Sequence, residues 1–169
     1  MSARGCVVWL TGLPSSGKST LALRVRSRLI EAGQTVALLD GDAVRAALVP
    51  PPGYDDAARD GFYATLGKLA ALLARQGLIV LVPATAHRRG WREQARGLAP
   101  AFLEVYVRTD FDECRRRDTK GLYHRSPAAL PGAGITYEPP PAPDVSAGGG
   151  HDDGAVATIV KLIQQGGST

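Results

Sequence analysis

Gly12, Leu13, Pro14, Ser15, Ser16, Gly17, Lys18 and Ser19, with Thr20 behind them, match GxxxxGK[ST] at every fixed position. The chemistry such a run supports is the holding of a phosphate chain. Glycines let the backbone curl around phosphate oxygens without a Cβ clash. The loop N–H groups and the positive end of the following helix then face the β- and γ-phosphates. Lys18 adds a point charge that can follow the γ-phosphate, and the Ser19 hydroxyl suits a Mg²⁺ ion. The chain has only four lysines against sixteen arginines, so a lysine at 18 stands out in a protein that otherwise uses arginine.

Two carboxylates come next. Asp40 and Asp42 flank Gly41 directly after an apolar run. In open α/β sheets ligands bind at the C-terminal strand ends, which puts both acids near the phosphate loop. One could serve the Mg²⁺ shell and the other take the proton of an attacking hydroxyl. The competing use is a helix N-cap, for which one of the two suffices. Arg45 lies a helical turn past Asp42, and Arg59 follows the breaker Pro50-Pro51-Pro52-Gly53. Residue by residue, both arginines read best as solvated surface charges. Lys120 opens Lys120-Gly121-Leu122-Tyr123, and Arg115, Arg116 and Arg117 precede it. These arginines either clamp a transferring phosphoryl group as a lid closes or line the exposed face of a short helix. His87 and Arg88 follow the third apolar run, where a lone histidine reads first as structural.

The elements that must position these residues alternate. Apolar runs at Cys6–Thr11, 35–39, 78–82 and Phe102–Val107 have buried-strand length. Helical spacing joins Leu21, Val25 and Leu29, and again Phe62, Leu66, Leu69 and Leu73, with Gly33 and Gly77 as stops. Residues 88–98 read as an exposed basic helix, 110–118 as a short charged one, and Val156, Ile159, Val160 and Ile163 mark a last helix. The expectation is one α/β domain over 1–169, three-layered α/β/α around a mainly parallel sheet. Residues 119–152 are rich in Gly and Pro, and a loop of that length is functional or a floppy linker.

Composition removes several classes. With 169 residues, 44% apolar and 21% charged, the chain is globular in composition. No run approaches the apolar length of a membrane span, and MSARGCVVWL leaves no room for a leader before the motif. Cys6 and Cys114 are too few and too far apart for a disulfide scaffold or a CxxC metal site, so a cytoplasmic setting is expected. The net charge is +4, but the densest basic run ends at Asp118. A small polyanion therefore fits better than nucleic acid, since arginine forks match phosphate and sulfate oxygens.

With these residues assembled, the chain resembles the adenylylsulfate kinase family. The matching pieces are WLTGLPSSGKST at 9–20, LLDGDAVR at 38–45, GLIVLVPATAHR at 77–88, RRDTKGLY at 116–123 and GITYEPP at 134–140. The resemblance implies a P-loop NTPase fold with a mobile lid over about 119–152. It implies Mg-ATP as phosphoryl donor and the ribose 3′-hydroxyl of adenylyl sulfate as acceptor. By that analogy Asp42 is the base, Asp40 supports the metal shell, and Arg45 and Arg59 bind the phosphosulfate. Tyr54 packs on the substrate adenine, Lys120 contacts the substrate, and Arg117 lies against the ATP base. A homodimer is implied by analogy alone.

Three stretches depart from the family pattern. Phe62 stands in the DRxxNI asparagine position, Ala84-Thr85-Ala86 replaces I-S-P, and Leu130-Pro131-Gly132-Ala133 replaces N-F-T-G. Phe62 and the 84–86 turn thus belong to the expected acceptor site in altered form. Two other readings stay open: a related kinase acting on another hydroxyl-bearing anion, and a nucleotide-binding regulator without turnover.

Overall fold

The computed structural model describes residues 4–166. The ends of the expected 1–169 domain, and the first three residues of the N-terminal stretch, lie outside the described residues. Five strands, β1 (Cys6–Thr11), β2 (Val36–Leu38), β3 (Ile79–Pro83), β4 (Phe102–Val107) and β5 (Val145–Ala147), form one sheet. Their order is β2-β3-β1-β4-β5 and every pairing is parallel. The helices are α1 (Lys18–Glu31), α2 (Gly41–Ala47), α3 (Asp56–Arg75), α4 (Arg89–Leu98), α5 (Phe111–Arg116), α6 (Leu122–Arg125) and α7 (Asp153–Gln164).

Strand periodicity divides the core. Cys6, Val8 and Leu10 point to one face of β1, where they meet Leu21, Val25 and Leu29 of α1 and Val156, Ile159 and Ile163 of α7. Val7 and Trp9 point to the other face and meet Phe62, Leu66 and Ala70 of α3 and Trp91 and Ala95 of α4. Each such aliphatic or aromatic side chain contributes about 1.5–3 kcal/mol when fully buried. The three-layer expectation therefore holds. β1, in the sheet centre, delivers its C-terminal end and the phosphate loop between the two layers. A third, smaller cluster of Cys114, Tyr123 and Leu130 lies beside the loop and packs on its Leu13.

One expectation is corrected, and one of two open readings is removed. Helix α4 is not an exposed basic helix, because it buries Trp91, Arg92 and Ala95. It also packs tightly on α3: a Cβ added at Gly67 would lie 3.3 Å from the Ala95 Cβ. The 119–152 segment is not a floppy linker either. It carries α6, a 3₁₀ turn at Pro127–Ala129 and the fifth strand, which enters the sheet as Asp144 N–H donates to the Glu104 carbonyl at 2.9 Å. Cys6 and Cys114 are both buried and unpaired.

Candidate active site

The phosphate loop leaves β1 at Gly12 and ends at Gly17, which precedes α1 with φ 102°. Only glycine is at ease there, and a Cβ would also lie 2.5 Å from the Gly150 nitrogen. Ser15 also has a positive φ, of 61°. The loop is pinned by Ser16 N–H donating to the Leu13 carbonyl at 3.1 Å and by Thr109 Oγ1 donating to the Ser16 carbonyl at 2.7 Å. Lys18 Nζ curls over it and donates to the carbonyls of Gly12 (3.0 Å) and Leu13 (2.7 Å). Burial lowers the Lys18 ammonium to about 8, against the pull of Cys114, Asp42 and Asp40. Ser16 Oγ is buried without a partner. A half-buried lysine and an unmatched buried hydroxyl in a glycine-framed loop fit an anionic phosphate chain.

Asp40 turns out to do two things at once. Its Oδ1 caps α2, accepting from Asp42 N–H at 3.0 Å and Ala43 N–H at 3.3 Å. Its Oδ2 accepts from Ser19 Oγ at 2.7 Å. Ser19 and Asp40 thus set two hard oxygen donors side by side. Among the described residues no group of three His, Cys, Asp or Glu could hold a metal by itself. That pairing fits Mg²⁺, which takes one or two protein oxygens and keeps waters and phosphate oxygens for the rest.

Asp42 pairs with Lys120 of the segment after α5, and both side chains are largely in solvent. The hydrogen bond to Asp42 raises the Lys120 ammonium. Such exposed pairs are worth about 0–1 kcal/mol, so this one opens easily.

On the far side of Asp42 stands a wall of arginines and rings. Arg45 is half-buried, with NH1 donating to the carbonyls of Pro52 (3.3 Å) and Gly53 (2.9 Å). Its guanidinium carbon lies 4.4 Å from the Tyr54 ring centre and 4.0 Å from that of Phe62. Arg59 is only 6% exposed, which overturns its reading as a surface charge. It donates to the Ala129 carbonyl at 2.8 Å and so joins α3 to the 3₁₀ turn. Tyr54 is 62% exposed, whereas Phe62, at 3%, is closed off.

The Ala84-Thr85-Ala86 turn closes the wall. The Ala84 carbonyl accepts from Trp9 Nε1 at 3.2 Å and the Thr85 carbonyl from Thr11 Oγ1 at 2.6 Å. Ala86, at φ 41°, is held by Tyr63 Oη accepting its N–H at 3.1 Å and by Arg92 donating to its carbonyl. The three carbonyls are therefore spoken for by the protein, and Thr85 keeps a half-buried side chain. His87 is buried, and burial with nearby Arg59 and Arg88 lowers it to about 4, so it stays neutral as a structural residue.

Arg117, at the other end of the loop, lines an open cleft of about 410 Å³ with Arg108, Thr109, Phe111 and Gly148. Its Nε donates to Glu113 at 2.6 Å, and Arg116 pairs with the same acid. Arg115 is exposed.

Several residues escaped the sequence. Arg92, 1% exposed, spends its three nitrogens on Glu104 (2.9 Å), the Ala86 carbonyl and the Glu138 carbonyl (2.6 Å). Tyr137 Oη lies 2.8 Å from Thr11 Oγ1. The signal that could have found Arg92 is Glu104, one acid inside the otherwise apolar FLEVYV.

Residues 4–147 match the family model described as adenylylsulphate kinase. The chain belongs to the adenylylsulphate kinase family. Among members of that family, the adenylyl-sulfate kinase of Microcystis aeruginosa is 41% identical over 86% of this chain and 82% of its own length. The bifunctional enzyme NodQ of Azospirillum brasilense is 45% identical over 84% of this chain, which spans only 24% of that larger protein. The structure of the Mycobacterium tuberculosis APS kinase CysC in complex with AMPPNP and APS superposes with a TM-score of 0.87. It is 34% identical and covers 95% of this chain and 98% of its own. Adenylylsulphate kinase membership makes the chain an ATP-dependent phosphotransferase and accords with the phosphate loop, the DGD turn and the KGLY segment converging at the C-terminal end of the sheet.

Proposed function

We propose that this chain transfers the γ-phosphoryl group of ATP to the ribose 3′-hydroxyl of adenylyl sulfate, giving 3′-phosphoadenylyl sulfate. One observation carries the reading: Lys120 meets Asp42 across 78 residues, next to a phosphate loop whose Ser19 rests on Asp40. Lys18 and the free backbone N–H groups of the phosphate loop bind the β- and γ-phosphates, and Arg117 lies against the ATP base. Ser19 and Asp40 would hold Mg²⁺, which when bound neutralises phosphate charge. Arg45 and Arg59 bind the phosphosulfate, Tyr54 stacks on the adenine, and the Ala84–Thr85 turn floors the pocket. The entering acceptor displaces Lys120, which then contacts the substrate. Asp42 takes the proton of the 3′-hydroxyl as its oxygen bonds to the γ-phosphorus. The bond from that phosphorus to the β–γ bridging oxygen breaks, and the electron pair leaves with ADP. We place the enzyme in the reducing cytoplasm, in keeping with two buried unpaired cysteines.

A second reading keeps the chemistry and changes the acceptor to another small anionic alcohol. It is favoured by the Leu130-Pro131-Gly132-Ala133 stretch, which offers the lid no ring and whose Leu130 is packed with Cys114 and Tyr123. ADP release with Mg-ATP, measured with and without low-micromolar adenylyl sulfate, separates the two. Strong stimulation is expected. Its absence, with ATP binding retained by thermal shift, would sink the first reading and favour the second.

A further inference from the structure

Arg45 is held in a way that points beyond its own charge. Its guanidinium contacts two rings, Tyr54 at 4.4 Å and Phe62 at 4.0 Å. NH1 is fixed edge-on by the Pro52 and Gly53 carbonyls. A free arginine side chain has many rotamers and loses their entropy on binding an anion. Here the loss is met in advance, by two cation–π contacts and by the hydrogen bonds of NH1. Of the two rings only Phe62 is buried. It is 3% exposed and sits edge-on to Tyr63 with ring centres 5.1 Å apart, and Tyr63 stacks on Trp91 at 4.4 Å. Tyr54 lies on the exposed side and follows the loop after the proline breaker.

Resting on the adenylyl sulfate reading, we propose that Phe62 is a positioning residue for the acceptor anion. It anchors Arg45 to the α3–α4 core so that the guanidinium waits in its binding pose. Its ring touches no ligand. It acts through Arg45, and it sets the affinity for the anionic end of the acceptor while leaving the chemical step alone.

The test begins with Phe62→Leu, which keeps an apolar side chain and removes the π face. The KM for adenylyl sulfate should rise roughly tenfold, the scale of a desolvated cation–π contact. The KM for ATP and kcat should move less than about twofold. In an Arg45→Met background the same change should add nothing, because the residue it acts through is gone. ¹⁵N relaxation of the Arg45 Nε–H, assigned by its loss in Arg45→Met, should show an ordered side chain in the parent protein and an averaged one in Phe62→Leu. Tyr54→Leu, on the exposed ring, should loosen Arg45 by the same readout without touching the core. An Arg45 equally ordered in both variants overturns the proposal, as does a KM increase that persists undiminished in Arg45→Met. The relaxation measurement needs no acceptor. A parent enzyme inert towards adenylyl sulfate would thus defeat the acceptor assignment while the relaxation result still decides the role of Phe62.

Discussion

The phosphate loop and the acceptor wall share the C-terminal end of the sheet and are assembled in opposite ways. The loop is continuous in sequence, works largely through backbone groups, and is fixed by one strand, one helix and two tight backbone positions, Ser15 and Gly17. The wall is gathered from α2, the loop after it, α3, the turn after β3 and the segment after α5, and it works through long side chains. Its members hold one another: Arg59 by the Ala129 carbonyl, Arg45 by two rings, Asp42 by Lys120. A backbone cradle tolerates sequence drift around it. A side-chain wall is retuned by single replacements, and it is there that the chain departs from the family pattern.

The largest expected effect breaks the two regions apart. Asp42→Asn should lower kcat by about 10²–10⁴-fold, the scale of a lost general base. ATP binding, followed by thermal shift, should be unchanged, and a parallel loss of ATP binding would mean that the two regions are not separable. Arg59→Met comes next. It should raise the acceptor KM roughly 10- to 100-fold, as expected for a charge-assisted hydrogen bond, with the ATP KM nearly constant in initial-rate kinetics.

A pH experiment probes the loop alone. Free Lys18 sits at about 8, and bound phosphate favours its charged form. Above pH 8 nucleotide binding should therefore take up a proton, and affinity should fall by up to about tenfold per pH unit. Below pH 7 the lysine is already charged and this dependence vanishes. Calorimetry in buffers of differing ionisation enthalpy reads the uptake directly, and Lys18→Arg should abolish it. The smallest effect is expected from Lys120→Ala in the ligand-free protein. The exposed pair with Asp42 is worth at most about 1 kcal/mol, so the melting temperature should shift by only a few degrees.

The contrast also explains what could be read from residues alone. The loop motif, its strand and its helix are local, and so are the first four strands and the capping aspartate. β5 was missed because three residues in a Pro- and Gly-rich stretch carry almost no periodicity, and only pairing with β4 makes them a strand. Arg59 and Arg92 were misjudged because burial of a guanidinium is decided by distant acceptors, the Ala129 carbonyl for one and Glu104 with two carbonyls for the other. For Phe62 the spacing with Leu66 and Leu69 favours the core, while the family resemblance puts the position in the acceptor site. It is in the core, with its ring under Arg45.

The small cluster beside the loop has a consequence for engineering. Leu13 packs with Cys114, Tyr123 and Leu130, and Tyr123 Oη donates to the Pro14 carbonyl at 2.7 Å. The same two loop residues therefore belong to the nucleotide cradle and to the footing of the cover. A chimera that imports residues 109–140 from a relative would inherit a foreign footing unless positions 13 and 14 travel with them. The natural unit of exchange is discontinuous, and a graft drawn along the chain alone would cut through it.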